Sequence, residues 1–121
     1  MKSFTFELNG KEISLRLRSE DAMKIESTYK VKLLDYVQDY SITTIVNLFR
    51  FMLKGGSGKP VSQEEAMAFY DELVDNDWAL QTMISDLIMP ACEASGLLTK
   101  SDLQMIQEKK IEVMEKATQN G

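Results

Sequence analysis

The sequence predicts an α+β fold that is mostly α, with an N-terminal β-hairpin packed on a bundle of about five helices. Apolar residues alternate with polar ones on both sides of an Asn-Gly step, which predicts a hairpin over residues 3–17. Further along, apolar residues recur at helical spacing. These segments predict helices at about residues 20–30, 42–54, 62–75, 78–95 and 100–117. A chain of 121 residues fits one domain, which we expect to span residues 1–117, with a disordered tail at 118–121.

The hairpin is predicted down to its register. Asn9 and Gly10 both tolerate the positive φ that a type I′ turn requires. Closing the chain on these two residues places the apolar side chains on one face, with Glu7 opposite Glu12 on the other. The predicted pairs are Leu8 with Lys11, Phe6 with Ile13, and Phe4 with Leu15. Because two strands alone are marginal in water, we expect the hairpin to lie on helices or to gain a third strand.

The next helices are predicted from their caps and apolar spacing. Ser19 is the predicted N-cap of the first, whose inward line is Ala22, Ile25 and Tyr29, with Leu33 beyond. Residues 31–40 show no long period, which indicates a turn with a short helical piece. Ser41 is predicted to cap a firmer helix, which Gly55 ends. The apolar stripe of that helix consists of Ile42, Ile45, Val46, Phe49, Met52 and Leu53, widened by Leu48 and Phe51.

A glycine-rich loop and an acidic helix come next. The loop is not a phosphate-binding loop, because Leu53 stands where the first glycine is needed and Pro60 stands where a hydroxyl is needed. This excludes a nucleotide site of that type. Ser62 and Glu65 are predicted to form a capping box at the start of the acidic helix. Its predicted inward residues are Ala66, Phe69, Tyr70, Leu73 and Val74.

The stretch from Asp77 to Ala94 is predicted to be a buried central helix. Asp77 is its predicted N-cap, and Trp78 places the largest side chain of the protein at its start. Pro90 lacks an amide hydrogen and crowds the carbonyl of residue 86, so we expect the helix to kink or stop there. Gly96 is predicted to end whatever continues. The apolar stripe consists of Leu80, Met83, Ile84, Leu87, Ile88 and Ala91.

The residue types present disfavour catalysis. The chain contains no histidine, which removes the commonest general base and the commonest transition-metal ligand. Its one cysteine, Cys92, adjoins the apolar stripe and is predicted to be a core residue. Asp75 and Asp77 suggest a calcium loop, but Leu80 stands where a glycine is needed. We therefore expect no enzymatic activity, no cofactor and no metal site.

Charge and hydropathy indicate which partners and compartments fit. Residues 55–121 carry twelve Asp or Glu against five Lys or Arg, and such a field repels phosphate backbones. We therefore expect no nucleic-acid binding. One basic cluster would favour nucleic-acid binding, but we predict that it is a solvated face. The cluster comprises Arg16, Arg18, Lys24, Lys30 and Lys32. No apolar run reaches the length of a membrane span and no secretory signal is evident, so a cytoplasmic protein without membrane contact is expected.

The last helix carries the predicted partner-binding surface. Its predicted N-cap is Thr99 or Ser101. Lys110 lies in the middle of an otherwise apolar face, which makes that face a poor core and a candidate docking surface. A frayed, partly solvated terminus explains the same pattern equally well. The predicted partner-binding residues are Leu103, Ile106, Lys110, Val113 and Met114.

The order of elements over about residues 3–98 carries a family resemblance. It begins with the segment from Phe4 to Glu12 and its Asn-Gly turn, followed by Leu15-Arg16-Leu17, a short helix around Glu26 and the turn from Lys32 to Asp35. An apolar helix, a loop, the capped acidic helix from Ser62 to Val74 and a helix ending in Ala91 to Gly96 complete it. This order resembles the tail assembly chaperones of long-tailed (siphovirus-type) bacteriophages and prophages.

The resemblance implies a function and two partners. A member of this family is a non-enzymatic chaperone that binds the tape measure protein and helps recruit the tail tube protein. It acts in the cytoplasm of the bacterial host and is not expected in the mature virion. The alternative is a small cytoplasmic interaction adaptor of a bacterial mobile element, which self-associates through its hairpin edge. A homo-oligomer is compatible with both hypotheses.

Overall fold

The fold was obtained as a computed structural model, which describes residues 3–39, 41–53, 58–99, 101–102 and 104–105. It is α+β and mostly α, with a two-stranded antiparallel hairpin at the N-terminus, as predicted. The elements are β1 (Phe4–Leu8), β2 (Lys11–Leu15), α1 (Ser19–Tyr29), α2 (Leu33–Tyr36), α3 (Ile42–Met52), α4 (Gln63–Asp75), α5 (Leu80–Met83), a π-helical turn (Ile84–Ile88) and α6 (Met89–Ala94). The last three run on from one another and are called here the central helix, residues 80–94.

The predicted hairpin register is confirmed. Phe6 pairs with Ile13 and Glu7 pairs with Glu12, and the outer pairs also agree with the prediction. Asn9 and Gly10 have φ values of 52° and 76°, as a type I′ turn requires. The Asn9 side chain also donates a hydrogen bond of 2.7 Å to Glu72 Oε1 on α4. The turn is therefore attached to the helical layer as well as closed on itself.

The hairpin lies on the helices through an aromatic cluster. Phe6 meets Phe69 of α4 and Trp78 edge-on, with ring centroids 6.3 and 5.9 Å apart. Phe69 in turn meets Phe49 of α3 at 4.9 Å, nearly perpendicular. Beyond the end of β2, the amide of Arg16 donates to the carbonyl of Met52 at the end of α3. Among the described residues the sheet has two strands only, so the helices supply the support that a lone hairpin lacks.

The buried apolar side chains form one contiguous core between the hairpin and the helices. The central helix contributes most of the predicted stripe, because Met83, Ile84, Leu87 and Ile88 are all buried. Met89 and Cys92 are buried as well, which makes the buried face of this helix wider than predicted. The other fully buried large side chains are Leu15, Leu17, Ile25, Ile45, Leu48, Phe49, Met52 and Leu73.

The start of α1 differs from the prediction. Its N-cap is Arg18 rather than Ser19, because the Asp21 carboxylate accepts a 2.9 Å hydrogen bond from the Arg18 amide and so sets the first turn one residue earlier. The helix ends at Lys30, whose φ of 53° lies in the left-handed region. Because the chain reverses direction at Lys30, the Val31 amide donates a hydrogen bond to the carbonyl of residue 26 and so caps the end of the helix.

The N-cap of α3 is confirmed, whereas its first apolar residue is misassigned. Ser41 Oγ accepts a 3.2 Å hydrogen bond from the Thr44 amide, and the Asp39 carboxylate accepts one of 2.8 Å from the Thr44 hydroxyl. Ile42, predicted to face inward, is 56% exposed; it is the first residue of α3, and the buried side chains of this helix begin at Thr44. The predicted terminator Gly55 lies outside the described residues.

The connection between α3 and α4 is closed by a pair of hydrogen bonds. Arg50 Nε donates to the carbonyl of Val61 at 3.0 Å, and the Val61 amide donates to the carbonyl of Arg50 at 2.9 Å. Ser62 then caps α4, because its Oγ accepts a 3.1 Å hydrogen bond from the Glu65 amide. This bond is one of the two that the predicted capping box comprises. We refer to the Arg50–Val61 pair as the α3–α4 clasp.

The central helix begins later than predicted. Asp77 has a φ of 67°, in the left-handed region, and terminates α4. The Trp78 amide donates to the carbonyl of Leu73, five residues back, which is the six-to-one hydrogen bond of a Schellman motif. The N-cap is Ala79, whose amide donates to Thr82 Oγ1 at 3.0 Å. Asp77 and Trp78 therefore belong to the junction between two helices.

Pro90 does not stop the central helix. In the preceding π-helical turn, the Met89 amide donates to the carbonyl of Ile84, five residues back. A wider turn at this point gives the proline ring the room that an ordinary α-turn denies it. The helix continues to Ala94 and ends at Gly96, which has a φ of 77° as predicted. Ser95 Oγ accepts a hydrogen bond from the Leu17 amide, which joins this end to the chain leaving the hairpin.

Candidate partner-binding surface

The predicted partner-binding residues Leu103, Ile106, Lys110, Val113 and Met114 all lie outside the described residues. The structure does describe how the last helix begins. Thr99 is its cap, because the Thr99 amide donates to Asp102 Oδ2 at 2.9 Å and the Asp102 amide donates to Thr99 Oγ1 at 3.1 Å. Hydrogen bonds from the Thr99 amide and then from its hydroxyl lower the pKa of Asp102. Residues 101–102 and 104–105 are helical.

Large apolar side chains reach solvent at several positions. The exposed set is Met23, Ile42, Met67, Val74 and Met105. Two members of the set, Met67 and Val74, lie on α4 seven residues apart, with half-buried Tyr70 between them on the same side. We call these three residues the α4 strip. Among the described part of the chain, α4 is the helix that carries two of the large exposed apolar side chains.

The α4 strip includes a misassigned residue. Val74, predicted to face inward, is 47% exposed, and Met67, to which the sequence assigned no role, is 49% exposed. The buried arc of α4 is narrow, consisting of Ala66, Phe69 and Leu73. Each residue advances about 100° around a helix, so Val74, the residue after buried Leu73, lies outside the buried arc. The sequence does indicate that Met67, Tyr70 and Val74 share one side of α4, because their spacing is i, i+3 and i+7.

A row of carboxylates runs beside the α4 strip. Glu64, Asp71 and Asp75 are exposed and, at helical spacing, share the outermost arc of α4. We call these three residues the acidic row. The sequence of α4 contains no Lys or Arg. Asp71 and Asp75 are four residues apart near the C-terminal end, where both their mutual repulsion and the helix dipole disfavour negative charge.

The outer face of the hairpin forms a shallow open depression of about 350 Å³ lined by Thr5, Phe6, Glu7, Gly10 and Glu12. Its charged groups are the two cross-strand glutamates, both exposed to water. Within the ranges that the structure describes, no three His, Cys, Asp or Glu side chains are placed to hold a metal ion. The depression offers carboxylates at a solvated surface, without a buried group to orient a ligand.

Cys92 is a core residue, as predicted. Its side chain is fully buried and free of any disulfide. Burial raises the pKa of the Cys92 thiol to about 12. At neutral pH the group is therefore a protonated thiol, which is a poor nucleophile. Its contribution is to packing along the central helix.

No protein-family model, curated protein or solved structure matches this chain. The resemblance to tail assembly chaperones therefore stays a prediction made from the order of elements. None of the helices in the described ranges has both the length and the apolar character needed to cross a bilayer.

Proposed function

We propose that this protein is a non-enzymatic tail assembly chaperone of a long-tailed bacteriophage or prophage, which binds the tape measure protein and assists assembly of the tail tube. The observation that carries the proposal is the order of elements. An Asn-Gly hairpin is followed by a short helix, a turn, an apolar helix, a capped acidic helix and a central helix that ends at glycine. The same order in the sequence underlies the family resemblance.

The surface supports a polypeptide as the partner. A tape measure protein is long and largely helical, so it presents apolar stripes until the tail encloses it. A chaperone for such a protein needs apolar side chains that can adapt to different neighbours. Three of the methionines in the described ranges are exposed enough to serve, and they lie on separate helices. These residues are Met23, Met67 and Met105.

The chemistry of the chain supports a binding role over catalysis. The sequence has no histidine, and its single thiol is buried in the protonated state. Both features favour recognition of a partner over catalysis as the activity to be tested. We propose that the protein acts in the cytoplasm of the bacterial host and leaves before the virion is complete. Mass spectrometry of purified virions is expected to detect the tube and tape measure proteins and not this chain.

Co-expression tests the main proposal. The full chain carrying an affinity tag is expressed with the tape measure protein encoded beside it, and separately with the tail tube protein. We expect the tape measure protein to co-purify and to become less prone to aggregation. An unrelated acidic protein of similar size serves as the control bait. Failure of both neighbours to co-purify would contradict the chaperone function, and so would a gene that lies outside any virion-assembly cluster.

Self-association through the hairpin edge is the second candidate. It is favoured by the two-stranded sheet, whose strands each have one edge without a strand partner among the described residues. In the observed register, the backbone groups of Thr5 and Ser14 point away from the opposite strand. Replacing both with proline blocks edge pairing without breaking the hairpin ladder. If light scattering shows oligomers that these substitutions abolish, and no tail protein co-purifies, the adaptor hypothesis replaces the chaperone.

A further inference from the structure

The exposed side of α4 combines two features that folding does not require. The α4 strip exposes about half of Met67 and half of Val74 to water. The acidic row beside it places Asp71 and Asp75 where the helix dipole and their mutual repulsion both act against α4. A helix that breaks local rules in this way, with no compensating contact among the described residues, is expected to be used for binding.

The side of α4 that carries these features is free of the hairpin. Phe69 and Glu72 face the hairpin, through the ring of Phe6 and the amide of Asn9. At about 100° per residue, Met67 and Val74 lie nearly opposite Glu72 around the helix axis. A partner could therefore lie along α4 without displacing β1 or the turn. The spacing of the strip matches the anchors that an amphipathic helix presents at i, i+3 and i+7.

We propose that this side of α4 binds an amphipathic helix of a partner polypeptide whose apolar stripe is flanked by Lys or Arg. The apolar stripe covers the α4 strip, and the flanking cations lie against the acidic row. This inference rests on the proposed function for the identity of the partner, and it adds the surface and the chemistry of recognition.

Charge decides between the candidate occupants. A second copy packed symmetrically on the same surface would bring two acidic rows together, which like-charge repulsion opposes. The chain as a whole carries a net charge of −5, so the long-range attraction between two copies is also weak. A helix with acidic flanks is disfavoured for the same reason. A helix with basic flanks gains from both features, and electrostatic attraction also speeds its arrival.

The probe is a fluorescently labelled peptide of about 20 residues, long enough to form a stable amphipathic helix. Leucine occupies its apolar stripe and lysine its flanks, and a matched peptide has glutamate in place of lysine. Fluorescence anisotropy measures binding to the full chain. We expect the lysine peptide to bind at least tenfold more tightly than the glutamate peptide, with an affinity that falls as salt is added.

Two double variants test the two features separately. Met67→Asn with Val74→Asn removes the apolar anchors, and Asp71→Asn with Asp75→Asn removes charge from the acidic row. Each is expected to weaken binding of the lysine peptide about tenfold or more. The second variant is expected to keep or raise its resistance to urea, because the charges it removes oppose the helix dipole. Loss of binding without loss of stability separates recognition from a structural role.

Ile42→Asn is the matched control, since Ile42 is a large apolar residue on α3 that is 56% exposed and lies outside the α4 strip. We expect this variant to bind like the wild type. Equal binding of both peptides, or unchanged binding by the Met67 and Val74 variant, would overturn the proposal. A change of mass in that variant by light scattering would assign the surface to a second copy and would also overturn it.

The outcomes also separate this inference from the proposed function. If the tape measure protein co-purifies with wild type and with the Met67 and Val74 variant alike, the chaperone function stands and this surface is wrong. If the lysine peptide binds as described while no tail protein co-purifies, the surface stands and the chaperone function fails.

Discussion

Three residues other than glycine hold a left-handed backbone conformation in the described part of the chain. They are Asn9, Lys30 and Asp77, with φ between 52° and 67°. Asn and Asp tolerate this region because their short polar side chains can bond locally, whereas lysine has no such compensation. Lys30 therefore holds the end of α1 at a conformational cost that the other two positions avoid in part.

Replacing Lys30 with glycine should stabilise the protein. The left-handed conformation costs about 1–2 kcal/mol for a residue with a Cβ, and the greater freedom of glycine in the unfolded chain offsets part of this gain. We expect urea unfolding to give a free energy of unfolding higher by about 0.5–1 kcal/mol. The matched control is Lys24→Gly inside α1, which should lower it by about 1 kcal/mol. Equal destabilisation by both variants would contradict the explanation.

Burial of Cys92 makes stability depend on alkaline pH. The pKa of the thiol rises from 9.0 to about 12 on folding, so the folded state holds its proton more strongly than the unfolded state. This contribution is fully present below pH 9 and is lost as pH rises from 9 towards 12. The slope is about 1.4 kcal/mol per pH unit.

Comparison with Cys92→Ala isolates this titration from those of lysine and tyrosine. The variant loses packing at every pH but has no thiol to ionise. We expect the difference in unfolding free energy between the wild type and the variant to shrink above pH 9, as measured by urea unfolding at several pH values. Parallel pH profiles for the two proteins would show that the buried thiol does not contribute.

At the level of single elements, the hairpin depends on its two-residue turn. Gly10 has a φ of 76°, and a Cβ added there would meet no atom within 4 Å. Any penalty for alanine therefore comes from the backbone and not from a clash. We expect Gly10→Ala to lower the free energy of unfolding by about 1–2 kcal/mol. Lys11→Ala, one residue further and in the strand, should change it by less than about 0.5 kcal/mol in the same urea titration.

Elements with strong local chemistry were predictable, and junctions were not. The turn, register and facing of β1 and β2 follow from Asn9-Gly10 and an alternating pattern, which agree with each other. Asp77 misled the prediction, because a carboxylate before an apolar stripe suggests an N-cap. Asp77 instead ends α4, with its backbone in the left-handed conformation. Whether a residue at such a junction ends one helix or begins the next depends on how the two helices pack. The local sequence pattern carries no information about that packing.

The π-helical turn is a second feature that local reasoning could not reach. Pro90 predicts a disturbance in the central helix, but its form is decided by the surroundings. Here the side chains of Ile84, Leu87, Ile88 and Met89 are buried in the core, and a widened turn keeps all four buried. Stopping the helix would have exposed Ala91 and Cys92. Burial of the apolar side chains on both sides of Pro90 therefore favours the turn over a break.

At the level of the molecule, Phe69 joins the three parts of the core. Its ring contacts Phe6 on the hairpin and Phe49 on α3, while its backbone belongs to α4. Truncating it removes both aromatic contacts and leaves a cavity. We expect Phe69→Ala to lower the free energy of unfolding by about 3–5 kcal/mol. The fluorescence of Trp78 and far-UV circular dichroism should report one coincident transition, because a single core connects them.

Met67→Ala is the control for Phe69→Ala, since it shortens an exposed side chain on the same helix. A change of less than about 0.5 kcal/mol is expected for it. If fluorescence and circular dichroism give separate midpoints in the wild type, the hairpin and the helices unfold as independent units although the Phe69 ring is present. That result would contradict the role assigned to this ring.

The candidate binding surface was less predictable than the fold. The sequence predicts a partner-binding surface within residues 103–114, where an apolar face is interrupted by Lys110. The sequence alone does not predict the α4 strip, because the spacing of Val74 fits both the buried side and the exposed side of α4. Its exposure depends on how α3 and the hairpin approach the helix, and that is a property of the assembled core.

The α3–α4 clasp has a practical consequence for handling this protein. Arg50 and Val61 hold the two ends of the connection together, so the positions of α3 and α4 do not depend on the length of chain between those ends. Doubling such a connection costs only about 0.6 kcal/mol of closure entropy. A short epitope can therefore be inserted beside Gly58, which is exposed, and this leaves both termini unmodified for capture experiments.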